Sequence, residues 1–144
     1  MELKIRWQPL ADRRGRSCER CLRTAAEIDS AAQKLRKALR PLGVDVPAIE
    51  VSPSEAAPLE SNRLWMNDRP LEAWLGAEVG RSPCTGACGR HECRALYING
   101  RRYEIVPEEL LVKAGLIAAA RLLGAKAEGR RHDRLDIRRS AKLN

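Results

Sequence analysis

The chain contains no phenylalanine, and only three Trp and two Tyr among its 144 residues. So few aromatic faces argue against a stacking platform for single-stranded nucleic acid. Nowhere do about 18 apolar residues run together, so no segment reads as a membrane-spanning helix. The opening Met1-Glu-Leu-Lys-Ile-Arg6 reads as the start of a strand and lacks the long apolar core of a secretory signal. No internal repeat is apparent. What is left is 44% hydrophobic and 32% charged, the balance of a single globular domain with a sizeable core.

The net charge is +8. Half of it lies beyond Gly124, where seven Lys and Arg face three acids. Such an end could touch nucleic acid or anionic lipid. A solvated, disordered tail over 125–144 is the expectation instead, with the domain itself over 1–124. Membrane and nucleic-acid partners are therefore not expected.

Five cysteines are present, an odd number in a chain without a visible export signal. That points to a reducing cytosol, hence a cytoplasmic protein, and to reactive or metal-binding thiols rather than a disulfide framework. They fall into two groups. Cys18-Glu-Arg-Cys21 is a CxxC, and Cys84-Thr-Gly-Ala-Cys88-Gly-Arg-His91-Glu-Cys93 places three thiols and an imidazole close together. Cysteines placed for packing alone would scatter along the hydrophobic pattern.

Leu3, Ile5 and Trp7 alternate with Glu2, Lys4, Arg6 and Gln8, which predicts a strand with one buried face. A basic loop from Pro9 to Ser17 leads to the CxxC. A helix follows from about Leu22 to Arg40, with an apolar stripe of Leu22, Ala25, Ile28, Ala32, Leu35 and Leu39. Pro41 and Gly43 stop it. Strands are predicted over Val44–Ser52, broken at Pro47, and Arg63–Asn67, with a tight turn at Asn67-Asp68. Pro70–Ala77 reads as a short strand or a helical turn. Gly76–Gly89 reads as a loop rich in Gly, Ser and Pro. Asn99-Gly100 between Arg94–Ile98 and Arg102–Val106 signals a hairpin. A last helix runs from Pro107 to Leu123 and ends at Gly124. The sum is an α/β domain in which helices cover a small mixed sheet.

A cysteine at a helix N-terminus faces unpaired N–H groups and the positive end of the dipole, both of which favour thiolate. Arg13, Arg14, Arg16 and Arg20 would add to this at Cys18. Cys21, one turn on, could resolve a mixed disulfide. Strand, loop, CxxC and helix are the thioredoxin arrangement in miniature. The sequence thus points to thiol–disulfide exchange, with Cys18 as nucleophile, Cys21 as resolving thiol and a thiol or disulfide protein, or a small thiol, as partner.

The same spacing also serves metals. Cys84, Cys88, Cys93 and His91 could hold zinc tetrahedrally. Alternatively, Cys18 and Cys21 could join Cys84 and Cys88 around a [2Fe–2S] cluster. That second pattern is similar to the thioredoxin-like ferredoxins, whose first two cysteines are usually spaced more widely. The bland reading makes the second group loop thiols that form a disulfide when oxidised, beside a surface His91.

Trp7-Gln8, the Cys18–Cys21 pair, Leu59-Glu-Ser-Asn-Arg-Leu-Trp-Met-Asn67, Pro70-Leu-Glu-Ala-Trp-Leu-Gly76, Ser82-Pro-Cys84, Glu92-Cys93-Arg94 and Tyr103-Glu-Ile-Val-Pro-Glu-Glu-Leu110 resemble one family of bacteria and archaea. It is the uncharacterised family catalogued as domain of unknown function 2703. The resemblance covers about residues 2–123. It implies a thioredoxin-like layered α/β fold and no established reaction. A further cysteine often follows the position of Cys84 in that family; here the residue is Thr85. This departure directs attention to His91 or to Cys18 and Cys21 as completing ligands.

Overall fold

The computed structural model describes residues 1–11, 14–54, 58–84 and 92–140. Its elements follow in the order β1 (Ile5–Gln8), α1 (Glu19–Leu39), β2 (Glu50–Val51), β3 (Arg63–Met66), β4 (Arg69–Pro70), α2 (Leu71–Leu75), β5 (Glu78–Pro83), β6 (Glu92–Ile98), β7 (Arg101–Tyr103) and α3 (Glu108–Ser140).

The alternation read at the N-terminus makes β1 an interior strand of a mixed four-stranded sheet, ordered β2-β1-β3-β4. Leu3, Ile5 and Trp7 are buried on one face. β1 runs parallel to β2, with Arg6 opposite Glu50, and antiparallel to β3, with Ile5 opposite Met66. The turn into β4 uses Asn67 and Asp68, both at positive φ, and the Asn67 side chain accepts from the Lys4 backbone N–H at 2.8 Å. Pro70 is tolerated because β4 is an edge strand. Pro70 also caps α2, so the segment read as strand or helical turn is both.

The predicted hairpin forms, with Asn99 at φ 50° and Gly100 at φ 77° supplying its turn. It does not join the mixed sheet. Instead β5, β6 and β7 form a second, antiparallel sheet. β5 lies where the sequence suggested only loop. Its Gly80 is a packing residue: a Cβ there would stand 2.4 Å from Cε2 of Tyr97, whose ring covers the strand. The fold is therefore α/β with two small sheets rather than one.

Two helix expectations are corrected. The core stripe of α1 is Cys21, Thr24, Ile28, Ala31, Ala32, Leu35 and Leu39, and Leu22 is 59% exposed. The first thiol-bearing turn thus belongs to the core face. α3 does not stop at Gly124 but continues to Ser140. Gly43 and Gly76, which end helical turns, have positive φ; Gly124 does not, so it is a helix-interior residue.

α1 and α3 pack closely. A Cβ on Gly115 would stand 2.5 Å from Leu35 Cδ1. Glu108 accepts from both Ser30 and Lys34 of α1, and the Glu108 backbone N–H donates to Glu27 at 2.7 Å. These contacts lock the start of α3 to the middle of α1. No described helix is long and apolar enough to cross a membrane.

Candidate functional site

Cys18 is the N-cap of α1. Its backbone is extended at φ −73° and ψ 164°, and its carbonyl accepts from Leu22 N at 3.1 Å. Its side chain makes no capping hydrogen bond. Cys18 and Cys21 lie together in the buried core instead. Cys21 is further contacted by a backbone hydrogen bond from Leu10, in the loop that follows β1. The pair therefore sits at the start of the helix that follows the first strand, as the sequence predicts.

The second group folds onto the first. On β5 and β6, Ser82 stands opposite Cys93. Side chains two apart on a strand share a face, so Cys84 points to the same side as both. Cys93 interacts electrostatically with Cys84, Cys18 and Cys21. Relative exposures are 4% for Cys18, 1% for Cys21, 6% for Cys84 and 1% for Cys93. All four belong to one hydrophobic core. Cys88 and His91 lie outside the described residues.

Cys18 and Cys84 line a single cleft of about 270 Å³, together with Glu19, Arg20, Arg23, Glu104 and Ile105. Arg20 holds its walls together. It donates to Ser82 Oγ at 2.9 Å and to the Pro83 carbonyl at 3.0 Å, and pairs with Glu104 at 3.3 Å. The sequence suggested Arg20 as a support for Cys18. In the fold its charge favours the ionised form of Cys93 and its hydrogen bonds fasten the end of β5. Arg14 and Arg16 are exposed, and Arg13 lies outside the described residues. The roles of Leu10 and Glu104 had no signal in the sequence, because each depends on a partner distant along the chain.

Burial, more than any neighbour, pushes the Cys21 thiol from 9.0 up to about 12; the Leu10 hydrogen bond opposes this and the Cys18 and Cys93 charges reinforce it. Burial likewise raises Cys93 to about 11, with the Cys84 hydrogen bond and charge adding to the effect and Arg20 opposing it. The two deep thiols are thus held protonated at neutral pH.

Among the described residues no three His, Cys, Asp or Glu side chains form a metal-holding group. The donor type of the four thiols nevertheless suits zinc or an iron–sulfur cluster.

The family model described as Domain of unknown function (DUF2703) matches residues 3–115, from β1 through both sheets and into α3. The chain belongs to this family. The matched span includes all five cysteines of this DUF2703 chain. It is 40% identical over 115 residues to an uncharacterized protein of Archaeoglobus fulgidus, an alignment covering 77% of the chain and 83% of that relative. No solved structure matches the chain.

Proposed function

We propose that this DUF2703 protein is a thioredoxin-like thiol–disulfide exchange protein of the cytoplasm that works on a partner disulfide in a protein or small thiol. The observation that carries this reading is Cys18: it caps a helix, lines a cleft, and has a deeper thiol one turn away. Helix N-termini favour thiolate through their free N–H groups and dipole.

In the exchange, the Cys18 thiolate attacks one sulfur of the partner disulfide. A Cys18–partner bond forms and the partner's other sulfur leaves, taking a proton. Cys21 then loses its proton and attacks Cys18. The second partner sulfur leaves as a thiol, so the partner gains two electrons and two protons and Cys18–Cys21 becomes the disulfide. One of the influences that hold the Cys21 proton, the Cys18 charge, disappears once Cys18 is in the mixed disulfide. The resolving thiol is thereby eased toward ionisation at the stage that needs it.

Iodoacetamide alkylation of the Cys18→Ser and Cys21→Ser variants over a pH series tests the roles. Cys18 is expected to react at least tenfold faster than Cys21. A Cys21 that reacts faster, or a chain that forms no Cys18–Cys21 disulfide in a glutathione redox buffer, overturns the proposal.

A second reading has one observation in its favour, the gathering of all four described cysteines in one buried region. In it Cys84, Cys88, Cys93 and His91, with or without Cys18 and Cys21, hold zinc or a [2Fe–2S] cluster. Colour and metal content of protein purified without oxygen discriminate: about one zinc per chain, or two irons with inorganic sulfide, would favour it.

A further inference from the structure

Cys84 and Cys93 repeat the design of the CxxC by a different route. In each pair one thiol lines the cleft, Cys18 or Cys84, and its mate lies deeper, Cys21 or Cys93. One pair is built by a helical turn and the other by cross-strand register, since Cys93 opposes Ser82. Cys84 directly follows Pro83, the last residue of β5. Arg20 meanwhile keeps Pro83 beside the first turn of α1. Packing alone would need neither the shared cleft nor the pairing.

We propose that Cys84 and Cys93 are a second redox-active dithiol that exchanges electrons with Cys18 and Cys21 through a transient Cys18–Cys84 disulfide across the cleft. This rests on the exchange reading above. Starting from an oxidised CxxC, the Cys84 thiolate attacks Cys18 Sγ, the Cys18–Cys21 bond breaks, and Cys21 leaves as a thiol after taking a proton. Cys93 then loses its proton and attacks Cys84 Sγ. Cys18 leaves, protonated, and Cys84–Cys93 is the new disulfide. Two electrons and two protons have passed to the CxxC, which is again ready for a substrate disulfide. A dithiol protein or a low-molecular-weight thiol reduces Cys84–Cys93 from the cleft. The chain thus separates the site that meets the substrate from the site that meets the reductant.

The test uses the full chain with Cys88→Ser, leaving the four thiols at issue. Adding Cys21→Ser and Cys93→Ser removes both resolving groups, and oxidised glutathione is then supplied. Peptide mass mapping is expected to find the Cys18–Cys84 disulfide in most molecules, at least tenfold over any bond between chains. Glutathione on both thiols with no cross-link overturns the relay. If the triple serine variant does not fold, the Cys88→Ser chain decides alone under excess oxidised glutathione. There, formation of both Cys18–Cys21 and Cys84–Cys93 supports the relay, and a persistently reduced Cys84 and Cys93 overturns it. A Cys84→Ser/Cys93→Ser chain separates the two proposals. If its Cys18–Cys21 disulfide forms while the cross-link fails, only the relay falls. If that disulfide never forms, the exchange reading falls and the relay with it.

Discussion

Arg20 of α1 donates to the Pro83 carbonyl at 3.0 Å, tying the first turn of the helix to the residue before Cys84. Through Ser82 and Glu104 the same guanidinium reaches β5 and the end of β7. A single side chain, 11% exposed, thereby sets the spacing of two cysteine groups that are far apart in sequence.

Lysine cannot reproduce that fork, because an ammonium lacks the planar donors that serve three acceptors at once. Arg20→Lys is expected to cost about 1.5–3 kcal/mol in urea unfolding, the scale of hydrogen bonds involving a charged group. Alkylation of Cys84 should accelerate in the same variant as the end of β5 loosens. Unchanged stability and unchanged Cys84 reactivity would show that Arg20 does not hold the cleft.

The alkaline limb of stability follows from the deep thiols. Cys21 and Cys93 ionise at about 12 and about 11 in the fold, both above the ordinary 9.0. Between these values the unfolded chain has released protons that the native chain retains, so stability falls as pH rises. Each thiol contributes a slope of up to about 1.4 kcal/mol per pH unit, beginning near pH 9 and ending at its folded value. Lys34, raised by its contact with Glu108, adds in the same direction above its ordinary 10.5. Urea midpoints from pH 7 to 11 should decline above 9, and a Cys21→Ala variant should decline less steeply. Parallel curves for the two chains would contradict burial as the cause.

Thr24 follows Cys21 on the core stripe, and its Oγ1 is buried with no hydrogen-bond partner among the described residues. An unpaired buried hydroxyl opposes folding, and valine keeps its shape without it. Thr24→Val is expected to be neutral or to stabilise by about 1 kcal/mol in thermal or urea unfolding. A loss above about 1 kcal/mol would mean that the hydroxyl has a partner in solution, with the neighbouring thiols the first place to look.

Gly115 opposes two effects against each other. Alanine would gain about 1 kcal/mol of helix propensity within α3. Its Cβ, however, would meet Leu35 Cδ1 at 2.5 Å, and Leu35 is fully buried with little room to move. Overpacking of this kind costs about 1–3 kcal/mol, so Gly115→Ala should be a net loss of about 1 kcal/mol. Combining it with Leu35→Val should recover part of that loss, and strict additivity of the two changes would exclude a direct clash.

Much of the local structure was legible. β1 is visible as strict alternation over Leu3–Trp7, and the hairpin as Asn99-Gly100, because both patterns record backbone geometry within a few residues. The start of α1 at the CxxC was also apparent. The phase of its buried face was not: Leu22 is the more hydrophobic residue, yet the fold spends that position on solvent and turns Cys21 and Thr24 inward. Strand β5 was hidden because Gly80 and Pro83 read as loop, while Gly80 is small only to admit the Tyr97 ring. The end of α3 was misplaced because a glycine stops a helix by adopting positive φ, and Gly124 does not adopt it.

The sequence by itself determined that this is an α/β chain whose cysteines fall into two closely spaced groups, because residue type and short spacing carry that information directly. It also determined where Cys18 and Cys21 fall, since a helix places them one turn apart whatever surrounds it. Only the tertiary structure decided that Cys84 shares a cleft with Cys18 and that Cys93 joins both members of the CxxC in one buried core. That convergence depends on the β5–β6 register and on the Arg20 bridge to Pro83. Both are contacts between segments distant in the chain, where burial and hydrogen-bond geometry choose the partner and no local pattern records the choice.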